Sequence, residues 1–227
     1  MAFGTLYTHN PTPRSTTILA LAKLNGLDLD IVYVEKRHKE SFTKLCEYNP
    51  LGQVPTFVGS DGYVLSECIP LTLYFASQGE TPTTLLGSCD SDTLEILKWM
   101  SFANSDLFPA IGGVFLPLVG QRQVVRQHGD DSLRAMLHRC SYLDGHLKNS
   151  KYLVGESLTV ADFFVVSLIF GAWAAFRRDM MERFPALSQW YKEVSEVEWY
   201  REVAGEAPDL GLPLPNSEVL VESHSSL

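Results

Sequence analysis

Apolar residues recur with period two in some stretches of this chain and with period near 3.6 in others, and that alternation lays out its elements. Gly4 to Thr8 (GTLYT) predicts a short strand. Ser15 to Asn25 follows, with Ile18, Leu21, Ala22 and Leu24 along one helical face and Gly26 placed to stop the helix. Residues 29 to 35, LDIVYVE, read as a β-branched strand. Strand, helix, strand is a βαβ unit, whose right-handed crossover sets its two strands parallel in one sheet.

The pattern then changes. Residues 40 to 48 predict a short helix, and Val54 to Val58 and Tyr63 to Leu65 flank a GSDG turn, so the sheet finishes antiparallel. Within the stretch NPLGQVPTFVG, residues 49 to 59, a proline stands inside a strand signal. Proline cannot donate to a sheet ladder and belongs at a strand's start, at an edge or at a bulge, so Pro55 leaves local backbone for another partner. A helix from about Cys68 to Ser77 closes this half, with Pro70 in the first turn, where no amide proton is needed.

From Gln78 to Ser91 the composition shifts to Gly, Thr, Pro and Ser, as in an inter-domain linker. Every long segment beyond it predicts helix: 92 to about 110, about 121 to 148, 160 to about 179 and 185 to about 195. Asp92 and Glu95 offer a capping box for the first of these. Thr159 and Asp162 offer another, with Leu158 and Phe163 as its hydrophobic staple. The expected organisation is 1–79, a linker over 80–91, an all-helical unit over 92–205, and a Pro-rich tail over 206–227 that is draped on the surface or disordered.

Composition narrows the partners. A formal charge of −9 and a pI near 5.1 oppose a nucleic-acid surface, which needs clustered Lys and Arg. The N-terminal stretch MAFGTLYTHNPTPRS has neither a basic start with an apolar run nor a membrane-length apolar span, so the expected location is cytoplasmic and away from membranes. Cys46, Cys68, Cys89 and Cys140 are scattered without metal-ligand spacing, so neither a disulfide framework nor a metal is expected.

A βαβ-ββα unit followed by a helical one, with Val-Pro at the third strand, resembles the cytosolic glutathione S-transferase superfamily. LSECIPLTLYF, residues 65 to 75, resembles that family's glutamyl-binding stretch, with Cys68 where Ser is usual. YLVGESLTVADFFVVS, residues 152 to 167, resembles its LTxAD helix start. GTLYT, WMSFANSD at 99 to 106 and the LVGESLTVAD run are most similar to the transferase-like domain of translation elongation factor one gamma. That subunit continues into further domains, whereas this chain ends at Leu227, so a free-standing, fungal-type transferase is expected.

The resemblance implies an α+β thioredoxin-like domain, an all-α domain, a homodimer and reduced glutathione as cosubstrate. It implies that Gln53, Val54 and Pro55 hold the cysteinyl part of glutathione by β-augmentation. Glu67 and Cys68 at a helix N-terminus would take the glutamyl carboxylate, where backbone amides and the positive dipole end favour an anion. His38, in the basic KRHK cluster at 36 to 39, is expected on the rim beside the glycine carboxylate. Asn104 and Asp106 lie where the family reaches across a dimer, and Asp106 is counted with the glutathione-binding residues.

Such an enzyme must hold sulfur as thiolate beside an electrophile. The end of the first strand offers Tyr7, Thr8, His9, Asn10, Thr12, Arg14 and Ser15 as donors, and the sequence does not choose among them. Tyr7, Arg14 and Ser15 are the catalytic candidates, with a core role open for Tyr7. Phe108, Phe115 and Trp173 are candidates for the wall of a hydrophobic electrophile pocket. A non-catalytic scaffold module with the same fold is the alternative. A thiol oxidoreductase is disfavoured because no cysteine lies between residues 6 and 15.

Overall fold

The computed structural model describes residues 2–10, 12–35, 39–79, 84–123 and 126–214. β1 (Gly4–Thr8), α1 (Pro13–Leu24) and β2 (Leu29–Tyr33) form the expected βαβ unit, with β1 and β2 parallel. α1 stops at Gly26, whose φ of 64° lies in the left-handed region that only glycine occupies without cost. After α2 (Lys39–Tyr48) come β3 (Thr56–Gly59) and β4 (Val64–Ser66), giving a sheet ordered β2-β1-β3-β4 with β3 antiparallel to both neighbours. Pairing in β3 starts at Thr56 rather than at Val54, because Pro55 has no N–H to give the ladder. α3 (Cys68–Ala76) completes the unit.

Alternation in β1 sends its residues to opposite faces. Leu6 joins Phe57, Ile18 and Phe75 in the main core, while Tyr7 turns to the other face and packs with Val34 and Leu45 beneath α2.

The predicted helix over 92 to 110 is two helices, α4 (Asp90–Phe102) and α5 (Phe108–Leu118), joined by a π-helical turn, Ala103–Leu107. Pro109 accounts for the break: it lacks an N–H, and its ring crowds the carbonyl four residues earlier. The turn widens until the Phe108 N–H bonds the Ala103 carbonyl. The cap of α4 also differs from expectation. Cys89 is the N-cap, and Asp92 reaches back to the Ser88 N–H at 2.8 Å, while Glu95 pairs with Lys98.

α6 (Arg126–Leu147), α7 (Val160–Arg183), α8 (Pro185–Ser195) and α9 (Glu198–Ala204) complete the bundle. α9 has no counterpart in the sequence expectation, since seven residues span too few turns to show a period. The Thr159–Asp162 capping box forms as expected. Asp162 is fully buried and its two oxygens accept from the Thr159 and Leu153 N–H groups, the Thr159 hydroxyl and the Trp190 indole. Burial lifts its carboxyl above the usual range, opposed by those four donors.

α7 alone, among the described residues, is long and apolar enough to cross a membrane, but 89% of its most apolar window is buried inside the protein. It is the central core helix. Its Ser167 hydroxyl bonds Thr17 on α1 at 2.8 Å and Tyr200 on α9 at 2.7 Å, a buried polar link between the two halves. At Phe176 α7 kinks (φ −124°, ψ 31°), and the freed carbonyls of Ala174 and Ala175 accept from the Leu210 and Leu212 N–H groups. The chain after α9 is thus draped along α7 as far as Leu214. The remainder of the tail, like residues 36–38 and 80–83 of the rim and linker, lies outside the described residues.

Candidate active site

Tyr7 stands opposite Thr56, and Thr56 opposite Ser66. One end of the sheet therefore gathers the exit of β1, the entry of β3 and the exit of β4, and the site is built there.

The entry of β3 is held by Asn49. Its side-chain amide donates to the Gln53 carbonyl at 3.2 Å and to the Thr56 hydroxyl at 3.0 Å, and that hydroxyl donates to the same carbonyl at 2.8 Å. The Asn49 side-chain oxygen, Oδ1, accepts from the Leu51 N–H. Gly52 completes the turn at φ 60°, and a Cβ there would meet the Phe42 ring at 2.8 Å, so size and conformation both require glycine. The Val54–Pro55 bond is cis. Among the described residues no hydrogen bond engages the main-chain N–H or C=O of Val54.

The exit of β4 turns sharply through Glu67, the N-cap of α3, held at φ 74° although it is not glycine. Such conformations cluster at ligand sites. Pro70 removes one amide from the first turn, leaving the N–H groups of Cys68 and Ile69 at the helix end. Both act on the Cys68 sulfur. The Cys68 thiol is buried and donates to Asn104 Oδ1 at 3.5 Å. Burial pushes it up, opposed chiefly by the Arg14 guanidinium, so it is a neutral thiol near pH 7.

Arg14, in the first turn of α1, donates from Nε to the same Asn104 oxygen at 3.1 Å and lies 4.7 Å from the centre of the Phe108 ring. A cation at a helix N-terminus is electrostatically unfavourable. Here the Asn104 oxygen and the Phe108 ring face offset that. The charge consequently acts at the N-terminus of α3, where it opposes the rise of the Cys68 thiol.

Two other catalytic candidates lie inside the protein. The Tyr7 ring is 1% exposed, packs 5.9 Å from the Tyr48 ring, and its hydroxyl is raised above its ordinary pKa, first by burial. Ser15 is fully buried and its hydroxyl accepts from Thr8 at 2.7 Å. The open part of the exit turn carries His9, Asn10 and Thr12, with His9 and Asn10 exposed and the Thr12 hydroxyl capping nothing. These border a cavity of about 510 Å³ between α1, β2 and α9.

In the widened turn Asp106 is exposed and pairs with Arg139 of α6 at 3.6 Å, so within one chain it does not join Asn104 beside Arg14. Phe108 does border the site through Arg14, whereas Phe115 packs towards Gly171 and Trp173 stacks on Tyr191. His38 lies outside the described residues. Sequence reasoning missed the anchoring role of Asn49 and Thr56; the signal was present as an Asn three residues before a glycine that turns the chain.

Two family models match the chain: glutathione S-transferase, N-terminal domain, over residues 2–74, and glutathione S-transferase, C-terminal domain, over residues 109–198. Glutathione S-transferase mdpJ of Emericella nidulans is 64% identical over 216 residues, covering 94% of this chain and 96% of the relative. Glutathione S-transferase stcT of the same organism is 40% identical, covering 90% and 93%. Among solved structures, the GST-like domain of elongation factor 1-gamma from Saccharomyces cerevisiae superposes with a TM-score of 0.80 at 27% identity, covering 95% of this chain and 99% of that one.

Proposed function

The chain belongs to the glutathione S-transferase family and is a glutathione transferase; from that premise we propose that it conjugates reduced glutathione, held as thiolate, to a small hydrophobic electrophile. The observation that carries this reading is the unpaired main chain of Val54 beside the open N-terminus of α3. An extended peptide laid along Val54 would gain two backbone hydrogen bonds as an added strand. Its free α-carboxylate would then meet the Cys68 and Ile69 amides, Arg14 and the helix dipole. Gln53 and Glu67 flank this groove and complete the tripeptide contacts.

In this reading Arg14 binds the glutamyl carboxylate. The sulfur donor comes from Asn10 or Thr12, because Tyr7 and Ser15 are committed elsewhere and His9 Nδ1 is bonded to the Val34 carbonyl. Lowering the glutathione thiol from about 8.5 to about 6.5 requires roughly 2.7 kcal/mol, within the range of one charge-assisted hydrogen bond plus positive potential. Residues 1–79 form the glutathione-binding unit, 92–205 supply the electrophile side, and the working form is a cytoplasmic homodimer.

Calorimetric titration of reduced glutathione, followed by conjugation to 1-chloro-2,4-dinitrobenzene, tests this. Asn49→Ala should weaken binding about tenfold by releasing the Gln53–Thr56 loop, with the fold retained. No heat of binding at millimolar glutathione would overturn the reading.

A further inference from the structure

α5 carries no polar side chain: its sequence, FPAIGGVFLPL, is apolar all round. A helix of that kind has something apolar to meet on both faces. One face is buried against the protein through Ala110, Ile111 and Val114. The opposite face, formed at helical spacing by Phe108, Gly112, Phe115 and Leu116, is only half-buried. It begins at the Phe108 ring beneath the Arg14 guanidinium, so it continues directly from the groove assigned to glutathione.

Gly112 stands at the centre of that face. Two neighbouring glycines have a packing reason. A Cβ on Gly113 would meet Ser132 Cβ at 2.7 Å, so α6 passes too close for a side chain. A Cβ on Gly171 of α7 would meet the Phe115 ring at 3.2 Å, so that glycine seats the ring. Gly112 has no such reason. It lies inside α5 without a positive φ, and among the described residues its Cβ would meet only Leu116 Cδ1, at an ordinary 3.7 Å. Glycine is among the least favourable residues in a helix interior, so this position is destabilising in a way that the packing of the chain does not require. What it leaves is a flat floor of helix backbone, with the Phe108 and Phe115 positions on one side and Leu116 on the other.

We infer that Gly112 sets the breadth of the electrophile, and that the substrates are flat hydrophobic electrophiles of fused rings, lying on Gly112 with the reactive edge towards the glutathione sulfur. This rests on the conjugation reading above. Gly112 is one helical turn, about 6 Å, beyond Phe108. An acceptor of one ring held at Phe108 stops short of it, whereas a second fused ring covers it. No side chain of this face donates or accepts a hydrogen bond, so a polar extension gains nothing there.

The test compares two acceptors with the same reacting carbon, 1-chloro-2,4-dinitrobenzene and 1-chloro-2,4-dinitronaphthalene. In both, the thiolate displaces chloride from that carbon; the second adds one fused ring. For the full chain, each kcat/KM is divided by the uncatalysed rate constant, and the naphthalene-to-benzene ratio is followed. Gly112→Leu should lower this ratio at least about tenfold with the glutathione KM unchanged. Gly112→Ala should lower it about threefold while raising Tm by about 2–4 °C. Gly145→Ala, on an exposed part of α6, should raise Tm alike and leave the ratio as it is. Because alanine favours the helix, Gly112→Ala decides the matter if the leucine variant fails to fold. A wild type that conjugates neither acceptor overturns the transferase reading and this inference with it. Conjugation of the benzene with exclusion of the naphthalene, a ratio indifferent to residue 112, or equal losses on both acceptors would overturn this inference alone.

Discussion

Arg14 Nε donates to Asn104 Oδ1 at 3.1 Å, joining residues 90 positions apart in sequence, and the same oxygen accepts from the Cys68 thiol. One amide thus fixes the start of α1, the π-helical turn and the N-terminus of α3 relative to one another. Asn104→Ala should release Arg14 and raise the glutathione KM about tenfold with a smaller change in kcat, the loss of one charge-assisted hydrogen bond being worth about 1.5–3 kcal/mol. Arg14→Ala should match it, and the double variant should cost little more than either single one. Steady-state kinetics across this cycle measures the coupling; additive effects would show that the two residues act separately.

Cys68 presents a weak S–H donor at a helix end where a carboxylate is to bind. Cys68→Ser puts a stronger donor in the same place, and one added hydrogen bond of about 0.5–1.5 kcal/mol should tighten glutathione binding about three- to tenfold. The thiol itself, pushed up by burial, should resist alkylation by iodoacetamide at pH 7 while exposed Cys89 reacts. Peptide mass mapping of the alkylated protein checks the second point, and calorimetry the first.

What the sequence made legible was local. β1, α1 and β2 follow from side-chain period, and the Thr159–Asp162 box from a spacing of three residues. Pro55 marked the site because its missing N–H constrains any sheet that contains it. Three features were not legible. Period two in β1 shows that Leu6 and Tyr7 face opposite ways, but not which face meets solvent; α2 covers Tyr7 and removes it from the cleft. Pro109 was visible, yet whether a helix breaks, kinks or widens at a proline depends on its neighbours, and here it widens into the π-helical turn that carries Asn104 and Asp106. The meeting of Arg14 with Asn104 depends on how two domains pack, which no window of sequence contains.

Asp162 holds two loop amides, a hydroxyl and the Trp190 indole with no exposed surface. Removing it strands the Leu153 and Thr159 N–H groups and the indole N–H in a site that water does not reach. Asp162→Ala should therefore cost about 3–5 kcal/mol, a large part of the stability of a domain of this size. Urea unfolding measures it. Asp162→Asn, which keeps the volume and one acceptor oxygen, should recover part of the loss; equal losses for both variants would mean that a single acceptor oxygen contributes nothing and that both carboxylate oxygens are required.

Asp92 gives a pH signature with a definite sign. Its carboxylate accepts from the Ser88 N–H at 2.8 Å and the Ser88 hydroxyl at 2.7 Å, and these bonds, the amide first, hold it below the usual carboxylate range. The folded state therefore binds this proton less readily than the unfolded chain, where an aspartate titrates near about 3.9. The contribution to stability is complete above the unfolded value and is lost as pH falls through the lower folded value. Asp92→Asn abolishes the titration. The difference in Tm between the wild type and this variant should be constant from about pH 5 to pH 7 and should close as pH drops below about 4. A surface control, Glu95→Gln, removes an exposed charge paired with Lys98 and should leave a smaller gap. Thermal melts by circular dichroism at half-unit pH steps distinguish the cases; a wild-type advantage that persists undiminished to pH 2.5 would show that the Ser88–Asp92 bonds do not depend on the carboxylate charge.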